Sequence, residues 1–277
     1  MKIAMAAGQV ISSPANSLLK QVRRSVSRGE ATAEGFVVAE SFHLLAEALR
    51  SRLVFRAVLA AESVQTEAEQ VLLTHPEIPL RIIEDRVFQS IAATEHSQGL
   101  ISLVRLPVWN LRDLFRGRPL VIVVDGVQDP GNAGTIVRSA EAFGATGVVF
   151  TSGSVNPENP KALRAAAGSL FRIPFARAVA HEDLAAELPR HEVKVIAADA
   201  HAGQLLNTFD FRVPSAIVIG SEAHGVSADL REGAQAVRIP TVTVESLNAA
   251  TSAAVILYEA ASQRARAGSA IGTTKTP

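Results

Sequence analysis

The sequence predicts an α/β protein made of two units, and three observations carry that expectation. Short apolar β-type runs alternate with helical segments along most of the 277 residues. In the second half the strand candidates are apolar without alternation, as in Val121-Ile122-Val123-Val124 and Ala216-Ile217-Val218-Ile219. That is the pattern of a parallel sheet covered on both faces. Between Pro107 and Pro119 the alternation breaks, and Trp109, Arg112, Arg116 and Arg118 fall in a segment that reads as a linker. The expected division is a smaller α/β unit over 1–106, a linker over 107–118, a larger parallel-sheet unit over 119–268 and a tail over 269–277.

In the first unit a helix is expected over Asn16 to Arg28, then strands over Phe36 to Glu40, Val54 to Ala60, Leu80 to Glu84 and Gly99 to Leu106. Helices separate them over Phe42 to Arg52, Val64 to Leu73 and Asp85 to Ala93, the last capped by Asp85. In the second unit strands are expected near 120–124, 147–151, 194–199, 215–220 and 236–239. Its helices are expected near 132–143, 158–168, 181–188 and 246–266.

Composition bounds the chemistry. Hydrophobic residues at 48% and charged ones at 19% are those of a globular chain with a proper core. No apolar run nears the roughly 20 residues of a membrane span, so no membrane partner is expected. The mildly apolar start soon meets polar and basic residues, which argues against a signal peptide. With no Cys, disulfides, Cys-ligated zinc and a thiol nucleophile are excluded, and a reducing cytoplasm suits the chain. No other ligand cluster suggests a metal. Formal net charge is zero, so no global field draws the protein to nucleic acid. Lys20, Arg23, Arg24 and Arg28 nevertheless form a basic cluster, either a solvated helix face or a set of phosphate contacts.

Three strand-end segments carry the functional signal. The first is Asp125-Gly126-Val127-Gln128-Asp129-Pro130-Gly131-Asn132-Ala133-Gly134, a tight turn running into a helix that Asn132 is suited to cap. Arg138 and Glu141 share a face of that helix. The second is Gly220-Ser221-Glu222-Ala223-His224-Gly225, where glycines permit close backbone approach. The third runs from Ile239-Pro240 to Ser246-Leu247-Asn248 and opens a long helix with Ala249, Ala250, Ala253 and Ala254. Ser246 or Asn248 could cap it, and its small residues suit close packing within the chain or with a second copy. A strand, a tight loop and the charged first turns of a helix are a common way to build a site at the end of a parallel sheet.

Taken in this order, the segments resemble the SpoU (TrmH) family of RNA ribose 2′-O-methyltransferases in the SPOUT superfamily, over roughly residues 119 to 268. The first half resembles, more loosely, the substrate-binding domain often joined to that family, with a fold like ribosomal protein L30e. Its marks are Ser13 to Lys20, Phe36 to Glu40 and His96 to Leu100. The resemblance implies an α/β catalytic domain with a deep trefoil knot, S-adenosyl-L-methionine as cofactor and a homodimer. It places the cofactor contacts on Gly220, Ile239 and Leu247, and the catalytic set on Asn132, Arg138, Glu222, Ser246 and Asn248. Arg138 is sometimes called the family's general base, but a guanidinium is a poor base at neutral pH. A grip on the phosphate beside the reacting ribose suits it better. RNA contacts are expected from Asn16, Lys20, Arg23, Arg24 and Arg138. The L30e-like front domain favours ribosomal over transfer RNA, since it recognises folded RNA by shape. Transfer RNA methylation and a non-catalytic ribosome-assembly role are the alternatives.

Overall fold

The protein is described by a computed structural model over residues 10–269, which divides into two compact units. The first comprises the described residues up to Pro107 together with Glu158–Phe171. The second comprises Val108–Pro157 and the described residues from Arg172 onwards.

The first unit is built on strands β1 (Val37–Glu40), β2 (Val54–Ala61), β3 (Leu80–Ile83) and β4 (Leu100–Arg105) in the order β1-β4-β2-β3. β4 runs antiparallel to both neighbours, and β2 and β3 are parallel. Strand alternation splits its apolar residues between two cores. Ala57, Leu59, Ile101 and Leu103 face one side with Leu19 and Val22 of α1 (Ser17–Arg28) and Phe88 of α4 (Asp85–Gln89). Val58, Ala60 and Leu100 face the other with Leu45 of α2 (Phe42–Arg50) and Leu72 of α3 (Gln65–Leu72). Asn16 caps α1 by accepting from the Leu18 N–H at 2.9 Å. Asp85 does not cap α4; it lies inside the first turn and accepts from the Ser63 N–H and hydroxyl instead.

The segment placed with this unit carries α6 (Pro160–Ala166), which packs against β1. Glu40 is 2% exposed; its carboxylate accepts from the Ala93 N–H and the Thr94 hydroxyl, and lies 3.5 Å from Arg164 of α6. A buried carboxylate needs such partners. Sequence order alone had put this helix in the larger unit.

The second unit holds seven strands, all parallel to their neighbours: β5 (Leu120–Asp125), β6 (Gly147–Thr151), β7 (Phe175–Val179), β8 (Lys194–Ala198), β9 (Gln204–Leu205), β10 (Ser215–Gly220) and β11 (Gln235–Arg238). Their order is β7-β6-β5-β10-β8-β11-β9. The chain thus winds outwards from β5 to β7, crosses to β8, and later slots β10 between β5 and β8. Helices α7 (His181–Glu187) and α8 (Ala228–Arg231) add Leu184 and Leu230 to the core on one face. Helix α5 (Pro130–Ala142) packs on α9 (Ala249–Ser269). Ala249, Ala250 and Ala253 of α9 are buried, so packing within the chain accounts for them.

β7, β9 and α8 have no counterpart in the expected pattern. β7 is an edge strand carrying Arg177, with a register irregularity beside β6, and β9 is two residues long. Neither leaves the apolar run that marks the central strands. The segment expected as a linker contains a single-turn helix, Leu111–Phe115, whose Leu114 and Phe115 lie in this unit's core. Gly147 makes room for it, since a Cβ there would stand 2.3 Å from Leu114 Cγ.

Arg264 ties α9 to the starts of two central strands. Its guanidinium donates to the carbonyls of Phe211, Arg118, Pro119 and Val213 at 2.8 to 3.1 Å. Burial, reinforced by the charge of Arg118, pushes its pKa down to about 10, so it remains charged at neutral pH. Arg264→Met is expected to destabilise the protein by about 2–3 kcal/mol, because it strands carbonyls that no aliphatic chain can satisfy. Urea denaturation of the two forms measures the difference. No helix among the described residues is long and apolar enough to cross a membrane, and no group of side chains among them could hold a metal ion.

Candidate active site

The site forms where β5 and β10 end side by side, with Asp125 paired to Gly220 in the parallel register. Such a position, where the strand order reverses, is where parallel sheets bind ligands. Beyond the strand end, Gly126 turns with φ +67° and its N–H donates to Ser154 Oγ at 2.9 Å. Pro130 then opens α5 at its first position, which suits a residue lacking an N–H.

That placement moves the cap. Asp129, not Asn132, is the N-cap, accepting from the Asn132 N–H at 2.8 Å. The Asn132 side chain is thereby free for another task. Its amide donates to Glu222 Oε1 at 2.5 Å, and its oxygen accepts from the Asn248 amide at 3.1 Å. Asn248 in turn caps α9 through its own oxygen, which accepts from the Ala250 and Thr251 N–H groups. One hydrogen-bonded chain, Glu222–Asn132–Asn248, therefore joins all three sequence segments, with the middle amide using its donor and acceptor ends separately.

Beside this chain lies a cavity of about 360 Å³, walled by the ends of β8 and β10, the 220–225 loop, and the stretch from Ile239 to Ala249. Its volume is in the range of small-molecule and cofactor sites. Gly220, Ile239 and Leu247 all line it, as do Glu222 and Ser246. Asp199, His201, His224, Arg231 and Glu245 line it too. Asp199 stands in a segment with no motif of its own, whereas Glu245 lies inside the third segment, directly before Ser246. Gly220 is needed for the fold of the loop itself. A Cβ there would fall 2.0 Å from Gly225 C and 2.3 Å from Val226 N, because the chain doubles back through paired Ser221 and Gly225 backbones.

Arg138 is exposed on α5 and makes no hydrogen bond or ion pair with another described residue. Glu141, on the same face, is taken by the fork of Arg172 at 2.6 and 3.0 Å. In the first unit the basic cluster divides. Arg23 donates to the Ser90 carbonyl and hydroxyl, which anchors α1, whereas Lys20, Arg24 and Arg28 are exposed. His96 sits in an exposed turn.

Parallel sheet, strand-end cavity and a linked polar rim define a protein that binds a small cofactor beside an open surface. Residues 119–258 match the SpoU rRNA methylase family, and residues 16–102 match the MRM3-like substrate binding domain. The chain belongs to the SpoU rRNA methylase family. It is 32% identical to an uncharacterised tRNA/rRNA methyltransferase of Synechocystis sp., over 92% of this chain and 94% of that one. It is 29% identical to the 23S rRNA (guanosine(2553)-2′-O)-methyltransferase RlmP of Bacillus subtilis, over 90% of this chain and 97% of that one. An AdoMet-bound rRNA methyltransferase from Sinorhizobium meliloti superposes with a TM-score of 0.77 at 25% identity, covering 91% and 97% of the two chains. The cofactor of this family, S-adenosylmethionine, fits the cavity in size and in charge, since three carboxylates, Asp199, Glu222 and Glu245, outnumber the single guanidinium, Arg231, in its lining.

Proposed function

We propose that the protein methylates a ribose 2′-hydroxyl of 23S ribosomal RNA. The observation that carries this reading is the Glu222–Asn132–Asn248 chain at the rim of the cavity, with Arg138, unpartnered among the described residues, further along the same helix α5. Bound S-adenosylmethionine would supply a methyl group on a sulfonium, open to in-line displacement. Gly220, Ile239 and Leu247 would hold that cofactor. Arg138 grips the phosphate next to the target ribose and orients its 2′-hydroxyl, while Asn132 and Glu222 fix the loops on either side. Ser246 and Asn248 shape the wall between ribose and cofactor.

The first unit takes the RNA, with Lys20 and Arg24 on the exposed face of α1 as phosphate contacts and Asn16 at its start. Arg23, held by Ser90, acts through that helix's placement. The work is done by a homodimer in the cytoplasm. Val255 and Tyr258, exposed on α9, and Val242, 99% exposed, support an apolar surface for the second copy. The second unit contains the deep trefoil knot of its superfamily.

Ribose-methylation mapping of ribosomal and transfer RNA, from cells with and without the protein, tests the reading. One 23S site lost on deletion and restored by the native gene is the expected result. A lost transfer RNA site would replace the substrate, and no lost site would favour an assembly role. Asn132→Ala should lower kcat/KM for methyl transfer about 10²-fold, because both flanking loops lose their common anchor. Being partly exposed, the change should leave the melting temperature nearly as it was.

A further inference from the structure

The carboxylate of Asp125 has no part in the reaction described above, yet three groups from three different segments converge on it. It is 3% exposed at the end of β5. Its Oδ1 accepts from the Thr151 hydroxyl and faces His181 Nε2, each at 3.0 Å. Its Oδ2 accepts from the Ser227 N–H at 2.8 Å. Ser227 follows directly on the loop whose Ser221, Glu222, His224 and Gly225 wall the cavity. On the other side of the imidazole, Nδ1 lies 3.2 Å from Asp229 Oδ2 in the first turn of α8. Ionised carboxylates only accept hydrogen bonds, so an imidazole placed between two of them serves both only when each ring nitrogen carries a proton.

We propose that Asp125 and His181 are a positioning pair for the cofactor loop. The doubly protonated ring of His181 bridges Asp125, under the loop, to Asp229 on α8, and so holds residues 221–227 against the cavity. Loss of one ring proton breaks one arm of the bridge. The loop then loosens and cofactor affinity falls as the pH rises. The inference rests on the cofactor reading of this cavity.

The charged surroundings of His181 favour the charged ring. Asp125 faces it from β5 and Asp229 from α8, and Glu182 and Asp183 follow it on α7. Arg231 of α8 donates to the Val226 carbonyl instead, and Arg177 lies on β7, the strand leading into α7. At the far end of α7, Glu187 is paired with Arg112, Arg190 and His191. No other cation pairs with Asp125 or Asp229 among the described residues. Burial works against the imidazolium, but the hydrogen bonds and charges of Asp125 and Asp229 outweigh it, and the ring's pKa lies above the ordinary 6.5. A group raised in this way contributes fully below 6.5, and its contribution fades as pH climbs through the raised value. Burial also opposes charge on Asp125, yet the Ser227 N–H, His181 and Thr151 hold its carboxyl below the usual 3.8. Asp125 thus stays ionised throughout the range in which His181 titrates.

The test is calorimetric binding of S-adenosylhomocysteine to the full chain between about pH 6 and about pH 8.5. It is paired with the ring-nitrogen NMR shifts of His181 and the amide exchange of residues 221–227 without ligand. In the native protein the dissociation constant should rise about tenfold across that range, the size of one lost charged hydrogen bond. Its midpoint should coincide with the His181 ring titration and with the loss of amide protection. His181→Gln should bind weakly with no such transition, while Asp229→Asn, an exposed change that folding tolerates, should move the midpoint to lower pH. The pH dependence should persist in His224→Gln and in His201→Gln, which remove the two histidines that line the cavity. Affinity that stays flat while His181 titrates would overturn the proposal and leave the cofactor reading intact. No binding at any pH would overturn the cofactor reading instead, and unchanged amide protection across the His181 titration would then overturn the clamp as well.

Discussion

Arg138→Ala is expected to abolish methyl transfer, with kcat/KM falling about 10³-fold, the scale seen when a donor to a reacting centre is removed. Stability should not follow. The side chain is exposed and has no partner among the described residues, so truncation removes no contact and strands no group. Surface changes of that kind stay within about 0.5 kcal/mol, and the melting temperature should move by no more than about 1–3 °C. Cofactor affinity should also be kept, because Arg138 does not line the cavity. The decisive measurement is single-turnover methylation of a 23S fragment alongside binding of S-adenosylhomocysteine. Lost transfer with retained binding assigns Arg138 to the RNA side of the reaction. Transfer at the native rate would remove Arg138 from the mechanism. Arg138→Lys is informative as well, because it keeps the charge but loses the planar fork that can hold a phosphate at two points.

The second large effect is expected from one added methyl group. Gly220→Ala places a Cβ 2.0 Å from Gly225 C, 2.2 Å from its oxygen and 2.3 Å from Val226 N. These are backbone atoms, held by the Ser221–Gly225 pairing in front and by the Asp125 bond to the Ser227 N–H behind. They cannot move aside as a side-chain tip would. The loop must open, at a cost of about 3 kcal/mol, the upper end of what overpacking usually causes. Binding of S-adenosylhomocysteine should be lost with it, since the loop forms one wall of the cavity. Gly203→Ala is the matched control, since its added Cβ meets nothing within 4 Å. Chemical denaturation and calorimetry on the two variants separate the outcomes. A Gly220→Ala protein with native stability and affinity would show that the loop has room that the structure does not give it.

Much of the fold is legible in the chain. The continuously apolar Val121 to Val124 and Ala216 to Ile219 became adjacent central strands, and the helix expected over Asn16 to Arg28 formed over Ser17–Arg28. The strands that left no trace, β7 and β9, lie at the sheet's two edges, where one side is unpaired and the pattern weakens. Asn132 shows how a correct residue can be given the wrong reason. Its place after Asp-Pro-Gly looked like a cap, but proline at the first helical position shifted the cap to Asp129 and freed the amide for the site. His181 was invisible, because its partners Asp125 and Asp229 are 56 and 48 residues away along the chain.

The sequence by itself determined what is local. Periods of apolar residues set strands and helices, Asp-Pro-Gly set the entry to α5, and the order of three short segments marked the family. Only the tertiary structure decided which distant groups meet. It brought Asn132 to Glu222 across 90 residues and to Asn248 across 116, packed α6 on β1, and stood His181 between two carboxylates. The reason is physical. Hydrophobic periodicity is non-directional and survives many exchanges of residue, so it can be read along a chain. A hydrogen bond needs two atoms within about 3 Å at the right angle, and that geometry exists only once the sheet has been assembled.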